Sequence, residues 1–157
     1  MQRVLAIALA TLALATLAGS ATAENAHTYS GSYCKAYVGS QEADLIHAFT
    51  GTYNAASAAR FITCPVLVDE VSNTDGTTQV WVHWTANVNA PNDTITCGLT
   101  SLDEKGLFRQ GQNATRTGTG RLVLPNVTND DPSGSYFLLC VLPSAGTINT
   151  IYLGEKD

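Results

Sequence analysis

The chain has 157 residues, 13% of them charged, with 13 acidic and 8 basic side chains and a formal net charge of −5. No Lys/Arg cluster is present that would neutralise a run of phosphates, which argues against a nucleic-acid partner. Thr, Ser, Asn and Gly are abundant, a balance typical of exported β-proteins whose surfaces are polar without being strongly ionic.

Arg3 precedes an apolar run from Val4 to Ala18, which ends in Gly19-Ser20-Ala21-Thr22-Ala23. A charged start, an apolar stretch of this length and an Ala-x-Ala ending are what a signal peptidase reads. Residues 1–23 are therefore expected to be a cleaved export signal, with Glu24 the first mature residue. A membrane anchor needs about 20 apolar residues to cross the hydrocarbon layer; here polar residues follow at once, and no later segment is apolar enough to span. Without Arg3 the net charge of the mature chain is near −6. Residues 24–157 suit one domain, divided into an N-terminal segment, 24–58, tied to the core by Cys34, and a β-sandwich core, 59–157.

Helical periodicity is nearly absent. The one candidate is Glu42 to Phe49, where Leu45, Ile46 and Phe49 share a helical face, although an irregular loop fits as well. From Ala59 onward, β-branched and apolar runs alternate with turn residues, the rhythm of a sandwich or barrel. The first strand is Arg60 to Asp69, with Ile62, Cys64, Val66 and Val68 on one side; Pro65 has no N–H for a ladder and predicts an edge or a bulge. After the turn at Ser72 to Gly76, Thr78 to Asn89 forms a second strand. It places Val80, Val82, Trp84, Ala86 and Val88 inside and Trp81 and His83 outside.

Thr94 to Leu102 is the third strand, with Ile95, Cys97 and Leu99 inward. Asp103 to Gly118 reads as a hairpin extension or a long loop. Arg121 to Val127 is the fourth strand. Ser135 to Leu142, the fifth, is apolar on both faces and belongs in the middle of a sheet. Thr147 to Gly154 closes the domain.

Cys34, Cys64, Cys97 and Cys140 are an even set in an exported chain and read as two disulfides. Their long spacings do not suit zinc, which favours close pairs. Of three connectivities, Cys34-Cys64 with Cys97-Cys140 is favoured. The first bridge would anchor the N-terminal segment to the first core strand, and the second would join two core strands, each adding about 2–4 kcal/mol.

The passage Asp131-Pro132-Ser133-Gly134-Ser135-Tyr136-Phe137-Leu138-Leu139-Cys140 resembles the turn-to-strand passage of immunoglobulin-type sandwiches. In that family the Tyr stands two residues before the Cys rather than four, and the buried Trp lies between the core cysteines, whereas Trp84 precedes Cys97. The resemblance implies architecture and no functional residue. Phe61-Ile62-Thr63-Cys64-Pro65-Val66, Thr96-Cys97-Gly98-Leu99 and Tyr136-Phe137-Leu138-Leu139-Cys140-Val141-Leu142-Pro143 are together similar to small secreted bacterial β-sandwich proteins of uncharacterised function. The expected fold is all-β, an immunoglobulin-like or jelly-roll-like antiparallel β-sandwich.

Nucleophilic catalysis needs a Ser or Cys beside a positioned base. The chain has three histidines, His27, His47 and His83, no Gly-x-Ser-x-Gly elbow, and no cysteine left over from the bridges. Paired carboxylates for glycoside hydrolysis are available among Asp69, Glu70, Asp75, Asp103, Glu104, Asp130 and Asp131, but these fall in turns, where Asp caps its own backbone. Asn129, Asp130 and Asp131, or Asp69, Glu70 and Asp75, carry calcium-type oxygens without a spaced loop signature. Trp81 and His83 are the suggestive surface pair for stacking on a sugar or a partner side chain, and Phe108 is the third candidate of that binding set unless it simply covers them. Sequons at Asn92, Asn113 and Asn126 mark surface positions.

The expected function is that of an exported, non-enzymatic binding or surface-associated module, secreted or periplasmic. It would have no cofactor and no mature membrane span, and its ligand would be a glycan or a protein. The alternatives are a small secreted hydrolase using turn carboxylates, and a structural subunit donating the Tyr29 to Val38 segment to a neighbouring sheet edge.

Overall fold

The computed structural model describes residues 26–67, 79–129, 131 and 133–154. The segment expected to be an export signal, Val68, the Asp69, Glu70 and Asp75 carboxylates, the turn at Ser72 to Gly76, Thr78 and Asp130 lie outside the described residues. Within them the chain forms eleven strands: β1 Ala26–Ser30, β2 Lys35–Ala36, β3 Leu45–Ala48, β4 Gly51–Asn54, β5 Arg60–Cys64, β6 Gln79–Thr85, β7 Thr94–Leu102, β8 Phe108–Thr117, β9 Gly120–Val123, β10 Ser135–Leu142 and β11 Thr147–Gly154. Short 3-10 turns occupy Gly31–Tyr33 and Gly39–Asp44.

The strands make two antiparallel sheets. One runs β3-β4-β11-β6-β9, with β1 also paired to β11; the other runs β2-β5-β10-β7-β8. Alternation sets the core. Val80, Val82 and Trp84 of β6, with Ile148, Ile151 and Leu153 of β11, turn inward from the six-stranded sheet. Ile62, Ile95, Leu99, Leu138 and Leu142 answer from the five-stranded one, each fully buried.

Both favoured bridges are present, Cys34-Cys64 and Cys97-Cys140. Cys97 and Cys140 are register partners of β7 and β10. Cys34 lies just before Lys35, which pairs with Thr63, so Cys34 and Cys64 also meet across neighbouring strands. Each bridge thus stays within the five-stranded sheet, where the immunoglobulin bridge joins two sheets. A contact akin to that family's tyrosine corner does occur: the Tyr136 hydroxyl donates to the Val127 carbonyl at 3.4 Å. Two disulfides suit an oxidising compartment, and no described helix is long and apolar enough to cross a membrane.

Several expectations need correction. The helical reading of Glu42 to Phe49 fails. A 3-10 turn ends at Asp44, and Leu45–Ala48 then pairs with Gly51–Asn54 as a hairpin, in which Leu45 is buried by strand alternation. The N-terminal segment consequently contributes strands to both sheets. β5 is an interior strand, and Pro65 is tolerated because the ladder ends at Cys64. β6 stops at Thr85, where the Ala86 N–H turns to the Thr119 hydroxyl at 2.9 Å, so Val88 reaches a turn and is 86% exposed. Asp103 to Gly118 is the hairpin extension, with β8 paired along β7; the Asp103 carboxylate builds its turn by accepting from the N–H groups of Lys105 and Leu107.

Candidate functional site

Trp81 and His83 project from the outer face of the six-stranded sheet, because β6 buries the alternate positions. Tyr152 is the cross-strand partner of Trp81 on β11, and their rings stack at 4.5 Å with an interplanar angle of 19°. On the opposite side β9 brings the Arg121 guanidinium 4.5 Å from the Trp81 ring centroid. Both faces of the indole are therefore occupied by the protein itself, and no ring face is left for a sugar. The indole Nε1 is buried and finds no hydrogen-bond partner. His83 is exposed and borders an open trough of about 540 Å³ shared with Thr85, Thr119, Gly120, Asn149 and Thr150.

Phe108 is not beside them. It starts β8 in the other sheet and is 67% exposed, with its ring lying over Gly111. The three aromatic-site residues singled out in the sequence are thus split between opposite faces of the sandwich, and Phe108 is no cover for Trp81.

The outer face around Phe108 is the more apolar one. Phe137, Leu139 and Val141 of β10 stand on it half-buried, with Phe61 of β5, 48% exposed, paired to Val141. Tyr37 meets Phe137 edge-on at 6.0 Å. On β7 the outward positions beside them are Thr96, Gly98 and Thr100. They leave a hollow of about 200 Å³ that Phe137, Leu139, Val141 and Asn113 complete. Gly98 makes the hollow, since a Cβ there would collide with the Asn113 side-chain oxygen. A strand apolar on both faces announced a central position, and β10 has one. Local pattern carries no sign that no described element would lie across its second face.

Among the described turn acids, Asp103 and Asp131 are engaged with backbone N–H groups. Asp131 accepts from the N–H groups of Glu104, at 3.0 Å, and Ser133, at 2.9 Å; these bonds hold its carboxyl below the ordinary range. A general acid for glycoside hydrolysis requires the opposite shift. Asn129 is buried, accepts from the Asp131 N–H and donates to the Leu102 carbonyl, so its amide closes a turn. Among the described residues no three His, Cys, Asp or Glu side chains converge as a metal set.

One His-centred arrangement went unnoticed in the sequence. His47 Nδ1 lies 2.9 Å from Thr52 Oγ1, and His47 Nε2 lies 2.9 Å from Glu42 Oε1. The order Thr-His-Glu mimics a catalytic relay, but Thr52 is fully buried and its hydroxyl donates to the Gly31 carbonyl at 2.7 Å. Burial of the Thr52 hydroxyl keeps it out of a substrate's reach whichever ring nitrogen carries the proton, so the group cannot serve as a nucleophile. The network is a clasp joining the 3-10 turn, the β3-β4 hairpin and, through the Ala36 N–H on Glu42 Oε2 at 2.7 Å, β2. The cross-strand pairing of His47 and Thr52 is visible only once the hairpin is known.

Comparison with protein-family models, curated proteins and solved structures finds no match to this chain.

Proposed function

We propose that the protein is an exported, non-enzymatic binding module that lays a neutral polysaccharide across the outer face of its five-stranded sheet. The carrying observation is an apolar face that no described element covers: Phe61, Val141, Leu139 and Phe137 around the hollow above Gly98. Open apolar patches on exported domains serve recognition. The hollow has no charged lining residue; its polar groups are Thr96, Thr100 and Asn113, which suit sugar hydroxyls, while Phe137 in its wall and Phe61 and Tyr37 beside it offer ring surface to the C–H faces of pyranoses. Export is supported by the signal-like N-terminus and the paired cysteines.

Co-sedimentation with insoluble cellulose and chitin tests this reading. The wild-type protein should pellet with at least one of the two. The Tyr37→Ala/Phe61→Ala double variant, truncated at exposed rings, should remain in the supernatant with an unchanged Tm. A wild-type protein that stays in solution with both polymers overturns the proposal.

A further inference from the structure

We infer that the Arg121-His83 pair on the opposite, six-stranded face binds an anionic oxygen group, a carboxylate or sulfate carried by a sugar chain lying in the adjoining trough. This goes beyond the neutral-ligand face and does not depend on it.

The chain is acidic overall, yet none of the six strands of this sheet contains Asp or Glu, and Arg121 is their one Lys or Arg. Two other arginines are matched, Arg60 Nε lying 2.7 Å from the Asp44 carboxylate and Arg109 3.8 Å from that of Asp103, while Arg116 reaches the Thr119 carbonyl at 3.5 Å. Arg121 has no such partner among the described residues. Its contact is the face of Trp81, itself backed by Tyr152. Stacking of this kind restrains the planar guanidinium and leaves its in-plane N–H fork available to an acceptor. A donor ordered in this way loses less freedom on binding than a free-swinging Lys would.

His83 is the register partner of Arg121, so the two side chains leave the sheet about 5 Å apart and can reach two oxygens of one group. Thr150 faces His83 from β11. Beyond it the trough presents Thr85, Thr119 and Asn149, with the Asn149 amide fixed by the Thr85 hydroxyl at 2.9 Å and the Thr50 carbonyl at 3.1 Å. A row of hydroxyls and an oriented amide leading from a cationic fork is the lining an acidic saccharide needs. A bare inorganic anion would use the fork alone.

Affinity electrophoresis at low ionic strength, through gels containing dextran sulfate, polygalacturonate or uncharged dextran, provides the test. At least one acidic polymer should retard the wild-type protein and dextran should not, although overall charge repels it from the former. Arg121→Gln should weaken retardation by about tenfold, the loss expected of one charge-assisted contact, and Arg121→Lys by less. His83→Gln leaves the Trp81 stack untouched and should also weaken it, so the test survives if Arg121→Gln unfolds. Tyr37→Ala/Phe61→Ala should migrate like wild type, which separates this site from the neutral-polymer face. Equal mobility of wild type in all three gels overturns the inference, as does undiminished retardation of folded Arg121→Gln. Competition by sodium sulfate as strong, per charge, as by the polymer reduces the site to a free-anion site and likewise overturns the saccharide assignment.

Discussion

Cys97 and Cys140 face each other directly across β7 and β10, with Cα atoms 4.0 Å apart, so their bridge ties neighbours already joined in one sheet. The two sheets therefore have no covalent pin between them, and their cohesion rests on the apolar layer around Trp84, Leu99 and Leu138. The bridge closes a sequence separation of 43 residues, for which unfolded-chain entropy gives about 4 kcal/mol. The Cys97→Ser/Cys140→Ser variant should lose a large part of that in urea unfolding. Non-reducing peptide mapping of the wild type should recover both pairs; a Cys34-Cys97 or Cys64-Cys140 peptide would refute the topology.

Trp81→Ala is expected to cost about 1–2 kcal/mol, since it strips Tyr152 and Arg121 of the ring between them. Binding to neutral polymer should be unaffected. A thermal melt and a sedimentation assay on the same preparation check both halves, and loss of neutral-polymer binding in a folded variant would move that site to the other sheet.

Asn54 is a fully buried polar side chain, and its amide is the knot between the N-terminal hairpin and the β10-β11 turn. Nδ2 donates to the carbonyls of Ala58, Leu142 and Pro143 at 2.9–3.1 Å, and Oδ1 accepts from the Ala56 N–H. Asn54→Ala removes these buried hydrogen bonds, although the Pro143 carbonyl keeps the Gly146 N–H, and should destabilise by about 2–3 kcal/mol, measured by denaturant midpoint. Asn54→Asp should be worse, because it aims carboxylate oxygens at carbonyls. An Asn54→Ala midpoint equal to wild type would contradict the buried network.

Acid should loosen the Glu42 clasp first. The Ala36 N–H holds the Glu42 carboxyl below its usual value of 4.5, with His47 acting in the same direction. A carboxyl whose folded-state pKa is depressed contributes stability that is present above its unfolded value and is lost as pH falls through the folded one. The loss therefore begins below about pH 4.5, and it is worth less than about 1 kcal/mol because the carboxylate is partly exposed. Glu42→Gln should lower Tm slightly at neutral pH and flatten this part of the acid limb. Parallel Tm-against-pH curves for the two proteins would exclude the clasp.

The legible part of the fold was the part with strict period-two burial. β7, β10 and β11 have the boundaries that alternation in Thr94 to Leu102, Ser135 to Leu142 and Thr147 to Gly154 predicts, and Trp84 is 1% exposed as expected of an inward position. Where alternation gives out, so does the reading. Leu45, Ile46 and Phe49 suit a helical face as well as a strand, and only pairing with Gly51–Asn54 decides between them. The candidate sites were harder still. Trp81 and His83 were correctly placed outward, but a sequence carries no record that Arg121 and Tyr152 will close on the indole from two sides.

The amino-acid order by itself determined an all-β chain, its inward side chains and two disulfides, because these follow from local periodicity and from cysteine parity in an export context. Tertiary structure decided which strands are neighbours. Through that it decided that both bridges stay within one sheet, that no described element covers the second apolar face of β10, and that a stacked arginine is the register partner of a histidine on the far side. Strand order is set by contacts between residues tens of positions apart, and no local pattern encodes it.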